Sequence, residues 1–179
     1  MKTMLATLGA LFVLLSPIQV PSQTSAYAGE EKREIKALSS QQVGDYLAGN
    51  GMGYAKAAEL NHYPGPKHVL AVADQLGLTP QQIAAAQQIF HRMQADAQRL
   101  GADIVENERA LDALFASGRA DAEAVSISTA QIAQLEGRLR DVHLQAHVAM
   151  RGLLTREQVR SYDQLRGYGH QHQDESHSH

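Results

Sequence analysis

The chain has 179 residues, of which 44% are hydrophobic and 20% charged, and its formal net charge is −3. The absence of cysteine excludes disulfides and a lipid-anchored cysteine, and the mildly acidic balance does not suit a nucleic-acid-binding protein. Few aromatic residues, no tryptophan and no sustained strand-like alternation predict an all-α fold.

The first 28 residues are typical of a secretory signal peptide. Lys2 precedes an apolar run from Met4 to Leu15, and the small residues Ala26 and Ala28 fit a cleavage site before Gly29. The apolar run is too short to span a membrane. We therefore expect an exported protein with no membrane span and no lipid anchor, and the bacterial periplasm is the compartment that fits best.

Residues 29–64 are predicted to form an N-terminal extension with one or two short helices. The run GNGMG at 49–53 separates these helices. No strand precedes this run and no lysine follows it at the required place, so it predicts a turn rather than a phosphate-binding loop.

Three segments repeat one pattern, namely LSSQQV at 38–43, LTPQQI at 78–83 and LTREQV at 154–159. In each, the hydroxyl residue is predicted to be a helix N-cap, and the glutamine three residues later completes a capping box. The capping motifs are Leu38, Ser39 and Gln42, then Leu78, Thr79 and Gln82, then Leu154, Thr155 and Gln158. The pattern predicts three helix starts, and marking those starts could be its whole role.

The core domain is predicted to span residues 65–168. A short helix over 66–76 would begin at a proline and end at Gly77. Two long helices follow, joined by a turn near Gly118 and capped by Asp121, and a last helix begins at Thr155. Their apolar residues fall in heptads, which predicts an antiparallel hairpin with coiled-coil-like packing. The seam positions are Ile83, Ala86, Phe90, Met93, Ala97, Leu100, Ile104, Leu111 and Leu114 on the first long helix, and Ile132, Leu135, Leu139, Val142, Ala146, Ala149 and Leu153 on the second.

Two LTxxQ boxes that frame a long hairpin behind an export signal resemble the Spy/CpxP family of periplasmic stress proteins. The stretches YPGPKHVL and HLQAHVAMRGLLTREQVRSYDQLRGY are most similar to its zinc-resistance-associated branch and to the CnrX-type heavy-metal sensors. The resemblance covers about residues 65–168. It implies a hooked four-helix hairpin, a homodimer, no enzymatic activity, and a role in envelope stress, client protection or metal response.

Histidine is the residue type that points to chemistry. His143 and His147 are four residues apart, which places both imidazoles on one helix face, and Met150 continues the stripe. In the heptad frame these two histidines flank the seam, and the hairpin brings His91 and then His68 to a similar level. We predict that His68, His91, His143 and His147 bind a divalent transition metal such as Zn, Cu, Ni or Co. A solvated histidine stripe is the alternative, and His62 reads as a loop residue.

The sensor relatives pair histidine with methionine on this helix, whereas the stripe here reads His, His, Met, which leaves the metal preference open. A second candidate site lies in the last residues, 169–179, which are predicted to be disordered. Four histidines occur there, with Asp174 and Glu175 between them, and such a tail binds metal loosely or only solubilises the chain. They are His170, His172, His177 and His179.

These features give three functional hypotheses. The first is a periplasmic stress or resistance protein that senses or buffers transition metal. The second is an ATP-independent chaperone that shields unfolded clients, and the third is a regulatory partner of an envelope sensor kinase or anti-sigma factor. An enzyme is not expected, because no cysteine nucleophile, serine elbow or phosphate loop is present. Carboxylates such as Glu106 and Glu108 fit solvated helix faces.

Overall fold

The computed structural model describes residues 24–168, which contain six α-helices, a short 3₁₀ helix at Glu30–Lys32 and no strand. The α-helices are α1 (Ser40–Ala48), α2 (Lys56–Glu59), α3 (Pro66–Ala71), α4 (Pro80–Ala116), α5 (Ala122–Leu153) and α6 (Arg156–Leu165). The predicted all-α fold is confirmed. The described part of the small first unit, residues 24–31, holds turns and the start of the 3₁₀ helix; the features below belong to the second unit, from Lys32 onward. None of the helices among these residues is both long and apolar enough to cross a membrane.

All three predicted capping boxes are present. The hydroxyl oxygens of Ser39, Thr79 and Thr155 accept hydrogen bonds of 3.2, 3.1 and 3.2 Å from the backbone N–H three residues later. In return, each glutamine side chain accepts a bond from the backbone N–H of its cap, at 2.9 to 3.0 Å. These boxes start α1, α4 and α6 at the predicted residues.

The second and third boxes also bind each other, which their local role does not require. The side-chain amide of Gln82 donates to Gln158 Oε1 at 2.9 Å, and that of Gln158 donates back to Gln82 Oε1 at 3.1 Å. Gln82 also donates to the carbonyl of Leu153, the last residue of α5, at 3.1 Å. The repeated motif therefore joins the starts of α4 and α6 to the end of α5.

The hairpin of α4 and α5 forms as predicted, and the two helices make the most extensive contact between elements of the described chain. Gly118 adopts a left-handed φ of 68° in the turn, and Asp121 caps α5 by accepting from the N–H of Ala124 at 2.8 Å. The seam is buried at Leu100, Ile104 and Leu139, but Ala149 is exposed.

The largest departure from the heptad frame concerns the two histidines of α5. The heptad frame predicts that both flank the seam, yet only 3% of His143 and 9% of His147 is exposed. The cause is the segment that precedes α3, which folds over this side of α5. Tyr54 stacks on the ring of His143, and Gly65 lies against the ring of His147.

Helix α3 is shorter than predicted. It begins at Pro66 but ends at Ala71, and residues 72–77 form turns rather than the last part of a helix to 76. Leu76 is nevertheless buried, and Gly77 turns the chain with a φ of 59°. Leu76 therefore packs in the core although the backbone around it is not helical.

Two apolar clusters make up the core of the described residues. One is built around Leu100, Ile104 and Leu139, and the other around residues that include Met150 and Tyr162. His143 and His147 lie between Leu139 and Met150 along α5, so the polar site described next separates the two clusters.

Candidate metal centre

A pocket of about 470 Å³ lies between α4, α5 and the segment that leads from α1 to α3. Three of the predicted metal ligands line it, together with one carboxylate, two thioethers and three cationic side chains. These are His68, His143 and His147, then Glu59, then Met52 and Met93, then Lys56, Lys67 and Arg166. The pocket therefore collects most of the metal-ligating side chains of this region.

His143 forms the buried wall of this pocket. Its ring lies parallel to that of Tyr54, with centroids 6.1 Å apart. Its Nε2 is fully buried and has no hydrogen-bond partner. Burial, and then the neighbouring His147, lower the pKa of His143 below 6.5, so the ring is neutral at pH 7. An unpartnered buried polar atom costs about 1–3 kcal/mol, which a ligand at that nitrogen would offset.

His147 is held in a defined tautomer. Its Nδ1 lies 2.7 Å from the carbonyl oxygen of Tyr63 and 3.7 Å from Glu59 Oε2. Because a carbonyl only accepts, Nδ1 must carry the proton, and Nε2 of the neutral ring keeps its lone pair. Histidines that bind metals usually hold their second nitrogen in this way.

Gly65 lets the backbone approach the His147 ring closely. A Cβ at this position would lie 2.9 Å from both Cε1 and Nε2 of His147, which is closer than real Cβ atoms come. Glycine at 65 therefore keeps the space next to the free nitrogen open.

His68 is the third residue of α3 and is exposed, and it lines the pocket. Partial burial, and then the nearby Arg166, lower the pKa of His68. Its position allows it to be a third imidazole near the other two.

Glu59 is the centre of a buried hydrogen-bond network rather than a free ligand. Its Oε1 accepts from Tyr162 Oη at 2.6 Å and from Tyr168 Oη at 3.1 Å, and it lies 3.5 Å from Nε of Arg166. Its Oε2 accepts from the backbone N–H of Gly65 at 3.1 Å. Burial, and then the bond to Glu59, raise the pKa of Tyr162. The carboxylate therefore fixes the C-terminal end of the domain to the segment that covers α5.

Two of the predicted ligands lie away from this pocket. His91 is exposed, does not line it, and packs its ring against Phe90 at 5.7 Å. Met150 is fully buried in the second apolar cluster. His62 occupies a loop, as predicted, with its Nδ1 2.8 Å from Asp163 Oδ2. The four histidines of the tail lie outside the described residues.

The side chains around the pocket are not arranged as a finished site. Within residues 24–168, no group of three or more His, Cys, Asp or Glu side chains is positioned to hold a metal ion. What is in place is a pair of imidazoles that line one cavity, with the Nε2 of His143 unpartnered and the Nδ1 of His147 bound to a carbonyl. These fit a transition metal as donors, but they leave coordination positions for other groups to fill.

Residues 51–161 match the heavy-metal resistance family. The chain belongs to this family. No curated protein and no solved structure shows a significant match. The matched region of this heavy-metal resistance protein contains every histidine and methionine of the pocket, whereas the histidine-rich tail lies beyond it. At this level the predicted family and the predicted link to metals are confirmed.

Sequence reasoning missed several residues of the pocket. Glu59 carries no local signal, because three of its four partners, Tyr162, Arg166 and Tyr168, lie about a hundred residues further along the chain. The heptads predict Met93 as a seam residue, and the GNGMG run predicts Met52 as part of a turn. The left-handed φ of 43° at Met52, unusual for a residue that is not glycine, becomes visible only in the structure.

Proposed function

We propose that this heavy-metal resistance protein binds a transition metal ion in the pocket, with Nε2 of His143 and Nε2 of His147 as the first two ligands. The observation that supports this most is the unpartnered, fully buried Nε2 of His143. His68, which also lines the pocket, is a candidate third ligand after a change of rotamer. When bound, the ion would be a single positive charge centre coordinated by both ring nitrogens.

The protonation states favour this proposal. A metal binds only a neutral imidazole, so a lowered pKa at His143 keeps it available at pH values where an ordinary histidine is half protonated. At His147 the bond to Tyr63 directs the lone pair of the ring to Nε2. Two preset ligands and open positions suit an exchangeable ion, because structural zinc sites use four protein ligands. Sensing or buffering of metal fits this better than a structural role.

The wider setting is part of the same proposal. The signal-peptide pattern of residues 1–28, most of which lies outside the described residues, supports a periplasmic protein. Likeness to the zinc-resistance-associated and CnrX-type branch supports a homodimer that reports to a membrane-bound sensor or anti-sigma protein. The family is not one of enzymes, and we assign no catalytic residues.

Isothermal titration with Zn(II), Cu(II), Ni(II) and Co(II) tests the site. The parent for all measurements carries glutamine at His170, His172, His177 and His179, which removes the tail ligands and leaves the chain at full length. Replacement of both His143 and His147 by alanine should abolish tight binding. His91→Ala is the matched control and should bind as the parent does. Unaltered affinity in the double variant, with its helical circular dichroism intact, would rule out the pocket.

A chaperone role is the second candidate, and it is supported by exposed apolar side chains near the hairpin turn. Phe115 is 59% exposed and Ile127 61% exposed. Light scattering by an aggregating client protein, with and without metal, distinguishes the two roles. Protection that does not depend on metal and is lost in a Phe115→Ser, Ile127→Ser variant would favour the chaperone.

A further inference from the structure

We infer that the pocket prefers Cu(I), and that thioether sulfurs of Met93 and Met52 complete the coordination begun by His143 and His147. This inference rests on the proposed function, since it names the ion that the same pocket takes. It assigns ligand roles to two methionines that the spacing of the histidines does not predict.

Methionine is concentrated at this pocket. The chain has five methionines, three of which lie in the described part, and two of these three line the pocket. Met93 comes from α4 and is partly buried. Met52 comes from the turn after α1 and is 38% exposed. The two methionines therefore line the cavity from two different segments.

The backbone at Met52 is held in an unusual conformation. Its φ of 43° lies in the left-handed region, which glycine, asparagine and aspartate adopt most often. Both of its neighbours, Gly51 and Gly53, are glycines, yet the residue with this left-handed φ is a methionine. Local strain of this kind is concentrated at ligand sites, where surrounding structure maintains it.

Oxygen ligands are scarce at this cavity. Glu59 is the one carboxylate among the residues that line it, and both of its oxygens already accept hydrogen bonds. The remaining side-chain donors are imidazole, thioether and the neutral amide oxygens of Asn50 and Gln94. Thioethers are soft ligands that select Cu(I), whereas Mg, Ca and Mn require oxygen, and imidazole alone does not distinguish Zn, Ni and Cu.

The charge of the lining points the same way. Lys56, Lys67 and Arg166 line the cavity, against the single carboxylate of Glu59. At a given distance, a divalent ion is repelled by these cations twice as strongly as a monovalent ion. Cu(I) is the monovalent ion that both imidazole and thioether bind well.

Competition with a chromogenic cuprous chelator, under anaerobic reducing conditions, measures the affinity for Cu(I). Zn(II) is the second probe, and the parent is again the full chain with glutamine at the four tail histidines. Met93→Leu and Met52→Leu keep the apolar volume and remove the sulfur. Met150→Leu is the control, because Met150 lies in the core and does not line the pocket.

We expect Cu(I) to be held more tightly than Zn(II). Either pocket variant should weaken Cu(I) binding by roughly ten- to a hundredfold. Removal of a group that only hydrogen-bonds to a metal ligand already costs this much, and removal of a ligand should cost at least as much. Zn(II) binding should change little, and the control should change neither. X-ray absorption at the copper edge of the parent should show sulfur bound to copper.

If the pocket methionines do not matter for Cu(I) and the copper spectrum contains only nitrogen neighbours, the inference is wrong. In that case loss of Zn(II) binding in the His143, His147 double variant would still support the proposed function. If the parent binds neither Cu(I) nor any of the four divalent ions used to test the proposed function, both the inference and the proposed function fail.

Discussion

Gln82→Ala should destabilise the fold by more than the loss of an ordinary helix cap. The Gln82 side chain makes four hydrogen bonds, one each with Thr79 and Leu153 and two with Gln158, at 2.9 to 3.1 Å. At about 0.5–1.5 kcal/mol each, and with the site only partly buried, we expect a loss of roughly 2–4 kcal/mol. Gln158→Ala should cost slightly less, since it lacks the bond to the carbonyl at the end of α5.

The interaction between the two glutamines can be isolated with a double-mutant cycle. Urea denaturation followed by far-ultraviolet circular dichroism gives the free energy of unfolding of the parent, both single variants and the double variant. Because two of the bonds are shared, the double variant should lose about 1–3 kcal/mol less than the sum of the single variants. Gln42→Ala is the control: its box follows the same pattern but should be additive with Gln158→Ala. Additivity of the Gln82 and Gln158 effects within about 0.5 kcal/mol would refute the proposed link between the boxes.

Three further outcomes follow from the structure. Gly101→Ala should lower the free energy of unfolding by about 1–3 kcal/mol, because a Cβ there would overlap the backbone of α1; Gly137→Ala, with open space around the new atom, should stabilise α5 slightly. Thermal denaturation of both variants checks this. Gly65→Ala should push the ring of His147 from its carbonyl partner, so titration should show a larger loss of metal affinity than denaturation shows of stability. The lowered pKa of His143 means that the unfolded chain takes up the proton first, so stability should fall as the pH drops below 6.5 towards that lowered value, and denaturation of His143→Gln across this range should show a smaller decrease.

The helix starts could be predicted because capping is local. Thr79 and Gln82 are three residues apart, and their bonds depend on little else. The hairpin could be predicted for a similar reason, because a heptad pattern within one helix identifies the face that packs on its partner. The contact between Gln82 and Gln158 could not be predicted, because it depends on where two distant helix ends come to lie.

The candidate site shows the same limit. Spacing correctly placed His143 and His147 on one face of α5, but whether that face is open or covered depends on the segment before α3. The heptad frame therefore made them flanking residues, while the structure buries them. Glu59 could not have been identified from its neighbours in sequence, because its hydrogen-bond partners lie in α6 and in the residues that follow it.

Long-range ¹H–¹⁵N NMR of the histidine rings, with and without metal, tests the central claim most directly. Zn(II) and Cu(I) are both diamagnetic, and the spectrum reports the state of each ring nitrogen separately. Before metal, His147 should show a protonated Nδ1; on addition of one equivalent, Nε2 of His143 and Nε2 of His147 should shift together as ligated nitrogens. Shifts confined to the histidines of 169–179, with both pocket rings unchanged, would contradict the account.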